Sequence, residues 1–203
     1  MFRIPALTLV ALLFTACNRD PKPRQYVEVQ TRGTSAIGAL TTESPIRITW
    51  TLPDGWVEQA GGDPMRVASF LAPDPNLAHS GEMDPQAVDV SVTQFSGAAG
   101  GMDANVSRWM GQLKIPAPLE SVKDFITKSD SLFAATGQKG ILVDLSDPIS
   151  GDMTVNKGIL GIIFPAEAAT VFVKAMGDKG RLAKIRTQFL EFCRGISIVE
   201  SKP

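Results

Sequence analysis

Between Ala87 and Leu113 the chain spells a strand, a glycine turn and a helix in succession, and no other stretch constrains the fold as much. Val88, Val90 and Val92 alternate with Asp89, Ser91 and Thr93. A period of two puts the valines on one face of a strand and the polar residues on the other. Such alternation belongs to an antiparallel sheet with one solvated face, because parallel strands read apolar throughout. Gly97, Gly100 and Gly101 then supply a turn. Asp103 is the expected N-cap of the helix that follows. Met102, Val106, Trp109, Met110 and Leu113 share one side of that helix, and Asn105, Arg108 and Gln112 share the other.

The flanking segments extend the pattern. Ile46, Ile48, Trp50 and Leu52 alternate with Arg47, Thr49 and Thr51, predicting a strand that ends in a Pro53-Asp54-Gly55 turn before Trp56. A second strand is expected from Met65 to Leu71. Prolines and acids then mark Ala72 to Gln86 as a long surface loop. Beyond the helix, Val122 to Ile126 and Ile141 to Ser146 read as strands, and Ile159 to Phe164 as a central strand covered on both faces. Thr170 to Met176 is its hairpin partner. Leu182, Ile185, Phe189, Phe192, Cys193 and Ile196 form the stripe of a closing helix, which Gly195 terminates. The expected class is α+β, an antiparallel sheet flanked by helices in the order β-β-β-α-β-β-β-β-α.

The first residues address location. Arg3 precedes an apolar run from Ile4 to Phe14, too short to span a bilayer, and Leu13-Phe14-Thr15-Ala16-Cys17 follows. This resembles the lipobox of bacterial lipoproteins, although Phe14 stands where Leu is usual. The resemblance implies a signal peptide over residues 1–16, cleavage before Cys17 and acylation of Cys17. The expected anchor is the membrane, facing the periplasm, and Asn18 favours the outer membrane over the inner. Residues 17–45 are polar and read as a flexible tether, leaving 46–203 as a single domain. With Cys17 lipidated, Cys193 has no disulfide partner and reads as a small core hydrophobe.

Composition excludes some functions. The chain has 20 basic and 21 acidic residues, with no basic patch of the kind a nucleic-acid binder carries. His79 is the sole histidine, and there is no G-x-S-x-G, H-E-x-x-H or C-x-x-C. Gly97 to Gly101 lacks a P-loop lysine and does not fit G-x-G-x-x-G, so it reads as a turn. Asp74, Glu82 and Asp84 near His79 follow no EF-hand spacing and read as solvated acids. No cofactor is expected.

The element order, the Pro53-Asp54-Gly55-Trp56 turn after the first strand, and Gly100-Gly101 followed by Asn105 and Arg108-Trp109 resemble the PsbP/Mog1-type α/β sandwich and uncharacterised bacterial lipoproteins that carry it. Proteins of that type dock on a photosystem or a small GTPase, and the resemblance implies a fold without a catalytic centre to transfer. The first expectation is therefore a lipid-tethered, non-catalytic accessory module with an envelope protein partner, its interaction surface on Asn105, Arg108 and Gln112. The alternatives are a small-ligand carrier with a pocket at Trp50, Trp56 or Trp109, and a hydrolase using His79 or a carboxylate pair.

Overall fold

A computed structural model describes residues 46–60, 63, 65–77, 84–146 and 156–200. The readings of residues 1–45, including Cys17, and of His79 and Glu82 lie outside them.

The strands are β1 (Ile46–Thr49), β2 (Val57–Glu58), β3 (Arg66–Ala72), β4 (Val88–Ser96), β5 (Ser131–Phe133), β6 (Lys139–Asp144), β7 (Lys157–Pro165), β8 (Ala169–Asp178) and β9 (Ser197–Glu200). The helices are α1 (Met102–Gln112) and α2 (Leu119–Lys128), between β4 and β5, and α3 (Lys179–Gly195), between β8 and β9. Seven strands form one antiparallel sheet in the order β2-β3-β4-β8-β7-β6-β5, while β1 and β9 pair with each other as a separate ribbon. The α+β class expected from the sequence is the class observed.

The side-chain parity of each strand divides the core in two. Val88, Val90 and Val92 of β4 face the same way as Phe70 of β3, Val171 and Val173 of β8, and Leu160, Ile162 and Phe164 of β7. This face is closed by α3, through Leu182, Ile185, Phe189 and Phe192, and by the β1–β9 ribbon, through Ile46, Ile48 and Ile198. On the opposite face, Ile159 and Ile163 of β7, Phe172 of β8 and Val143 of β6 meet Val106, Trp109 and Met110 of α1 and Val122 of α2. Trp109 lies directly over Gly161, where a Cβ would sit 2.4 Å from the indole ring. Only glycine fits under that ring.

The structure corrects four expectations. Residues 122–126 belong to α2, because Val122, Phe125 and Ile126 repeat at helical spacing behind Pro118 at the N-cap position. The N-cap of α1 is Gly101 at φ 87°, with Asp103 inside the first turn. The first strand stops at Thr49 and pairs outside the main sheet, so the buried Trp50 follows it as irregular chain. The sheet is not solvated along one whole face. Helices cover β6, β7 and β8, and the polar side of β4 is partly enclosed, with Ser91 buried and Asp89 and Thr93 half-buried.

Candidate functional site

The turn before α1 is held by a side chain. Ala99 adopts φ 50° and Gly100 φ 81°. Asn105 donates from Nδ2 to the carbonyls of Ala99 (3.0 Å) and Gly101 (2.7 Å). Its Oδ1 accepts from Arg108 Nη1 at 2.6 Å. Asn105 is only 4% exposed, so its amide is committed to the turn and orients Arg108, while Arg108 and Gln112 lie exposed.

Gln112 joins the helix to the sheet, where its Oε1 accepts from Lys174 Nζ at 3.3 Å. Lys174 stands in β8 opposite Ser91, and Ser91 stands opposite Ser69 of β3, so the three residues form one row across three strands. Beside the row, Arg66 makes a bidentate pair with Asp89, at 2.9 and 3.0 Å, and reaches Ser69 Oγ at 3.3 Å. Asp89 thus neutralises Arg66, whereas Lys174 has no carboxylate at ion-pair distance among the described residues. Burial pushes the Lys174 ammonium below the usual lysine range, and the nearby Arg66 charge adds to the effect, with Asp89 opposing both. The result is a donor-rich, net-cationic strip running from Arg108 through Gln112 and Lys174 to Arg66. Partly exposed pairs of this kind add little stability, so the strip's chemistry lies in what it can hold.

The three tryptophans do not converge on one cavity. Trp50 and Trp56 pack on the α3 side against Phe70, with ring centroids 5.6 and 6.4 Å away, and Trp56 also meets Phe192 at 5.2 Å. Trp109 lies across the sheet, 6.2 Å from Phe172. Cys193 is fully buried in the α3 core, and its thiol is pushed up by that burial.

Asp74 and Asp84 are not solvated acids. The Asp84 carboxylate accepts from the backbone amides of Asp74 (3.0 Å) and Gln86 (2.9 Å) and from Arg181 Nη1 (3.1 Å). Asp74 Oδ2 takes Lys184 Nζ at 2.5 Å. Both carboxyls are held below the ordinary 3.8. For Asp74 the Lys184 hydrogen bond is the main cause, and for Asp84 it is the Asp74 amide, against the opposing effect of burial. The two cations on α3 already occupy these oxygens, so the pair pins the loop to the helix. Among the described residues no cluster of three or more metal-ligating side chains forms.

Lys174, Arg66 and the serine row escaped the sequence reading. The available signal was a lysine between Phe172 and Met176 in an otherwise apolar strand, in register with the polar side of β4.

No protein-family model matches this chain, and no curated protein matches it. Among solved structures it is similar to cyanobacterial PsbP (CyanoP) from Synechocystis sp. PCC 6803. That solution structure aligns with 80% of this chain and 98% of its own, at 12% identity and a TM-score of 0.42. At that level the likeness carries no argument about what this chain binds or does.

Proposed function

We propose that the chain is a lipid-anchored lipoprotein of the cell envelope, facing the periplasm, whose domain acts as an accessory module and docks on a protein partner. The observation that carries the reading is the run Leu13-Phe14-Thr15-Ala16-Cys17 at the end of a basic and apolar leader, followed by a polar stretch before the first strand. Asn18 favours the outer membrane. The docking surface is the strip of Arg108, Gln112, Lys174 and Arg66, which offers several donors and two cations, Arg108 and Lys174, without a carboxylate at ion-pair distance among the described residues, to an acidic partner surface.

Cells fed an alkyne-tagged fatty acid should label the protein, and Cys17→Ala should abolish the label and move the chain to the soluble fraction. Labelling that persists in Cys17→Ala would sink the anchor. In-cell crosslinking from a photoreactive residue at position 112 should then capture one recurrent partner, and Lys174→Glu should lose it. A partner captured equally well by Lys174→Glu would remove the strip from the interface.

A further inference from the structure

Helix α3 carries a second surface, on the other side of the sheet. Where it passes β5 and β6 a groove of about 420 Å³ opens. Leu132, Leu142 and Leu190 give it an apolar floor, and Arg186 and Arg194 stand on its helical wall with Thr187 between them. The two arginines are eight residues apart, roughly 12 Å along the helix axis, with Leu190 midway on the same side of α3.

The guanidinium groups are incompletely used. Arg186 pairs through Nη2 with Asp144 at 3.0 Å, but its Nη1 is buried with no acceptor. Arg194 is exposed and has no carboxylate at ion-pair distance among the described residues. Buried donors are ordinarily satisfied, and guanidinium groups match carboxylate and phosphate oxygens in a planar, two-point geometry. Asp130 and Ser131 also line the groove, and the Asp130 carboxylate disfavours a dianion more than a monoanion.

We infer that this groove binds a monoanionic amphiphile. One carboxylate or phosphodiester group meets the exposed Arg194 guanidinium, and an apolar portion lies on the three leucines. The same chemistry is offered by a free fatty acid and by the headgroup region of an anionic phospholipid. The inference stands on the groove alone and does not require the lipid anchor.

The test is a titration of ¹⁵N-labelled residues 18–203, followed by NMR, with octanoate, with monomeric dihexanoylphosphatidylglycerol and with inorganic phosphate. Saturable shifts confined to residues 130–132, 142 and 186–194 are expected with at least one amphiphile. Octanoate alone would identify a free carboxylate as the source, and the phosphatidylglycerol alone a lipid headgroup; either supports the site. Arg194→Gln, at an exposed position where folding is not at stake, should weaken binding about tenfold, as expected for losing one charge-assisted contact. The proposal fails if neither amphiphile shifts the groove. It also fails if Arg194→Gln binds as the parent does, or if inorganic phosphate binds as tightly as the amphiphiles.

Discussion

At the scale of single residues, the tightest constraint is steric. Gly161 lets the Trp109 indole rest on the backbone of β7, and Gly161→Ala would place a methyl group 2.4 Å from the ring. The indole is held against Phe172 and has little room to retreat. The substitution should therefore cost about 1–3 kcal/mol, the usual range for overpacking, measured as a lower urea midpoint. A second residue-scale outcome concerns Cys193, which is fully buried with its thiol pushed up by that burial. In the folded protein it should be inert to a thiol-specific reagent at pH 8 and react fully once denatured. Rapid reaction without denaturant would contradict its placement in the core. Asn105 shows why the helix's polar side was only partly legible. A polar residue at helical spacing reads as exposed, yet its short amide can turn back onto carbonyls left open by a left-handed turn. Nothing in the spacing of the sequence announces that choice.

At the scale of elements, hydrophobic periodicity carried most of the information. β7 is apolar from Ile159 to Phe164 and covered on both faces there, and the stripe of α3 from Leu182 to Phe192 is buried as its spacing requires. Where elements are short, neighbours decide instead. Val122, Phe125 and Ile126 are compatible with a strand by composition, but Pro118 presets a helical start and α1 supplies a surface to pack on. β5 and β9 have three and four residues, too few to show a period, and β1 could not be assigned its partner without knowing β9. The groove on α3 was hidden for a related reason. Arg186, Leu190 and Arg194 form a readable row, but the wall facing it comes from strands more than forty residues away. The start of α3 gives a further test. Asp178 accepts through its side chain from the amides of Gly180 and Arg181, so Asp178→Ala should cost about 1 kcal/mol. The melting temperature should fall by about 2–4 °C for a protein of this size.

At the scale of the whole molecule, the sheet sets what is covered and what is open. α1 and α2 lie over β6, β7 and β8, and the sheet extends past them to β4 and β3, which leaves Arg66, Asp89 and Lys174 at the margin. No single element could reveal that margin, because it depends on where helices stop relative to a strand order that the sequence does not spell. Acid sensitivity is likewise a property of the assembled molecule. Asp74 and Asp84 tie residues on both sides of the loop between β3 and β4 to α3, and both carboxyls are held below 3.8 in the folded state. A depressed carboxyl contributes stability above its unfolded value and loses it as the pH falls through the folded value. Thermal stability should therefore hold from pH 7 to about 5 and decline below about pH 4. In an Asp74→Asn, Asp84→Asn variant the protein should be less stable at neutral pH, with a shallower acid limb. An unaltered acid limb would show that the loop attachment is not titrated.

The pairing of Ile46 with Glu200 and of Thr49 with Ser197 also has a consequence in time. During synthesis the strand at residue 46 leaves the ribosome with its partner still some 150 residues from being made, and the intervening chain must be laid down before the ribbon can close. Contacts so far apart in sequence form late. Ile46 and Ile48 must wait with their apolar sides uncovered, and a chain interrupted before Ser197 would leave them so. The part of the core that this ribbon closes is therefore left open until the last strand has been made.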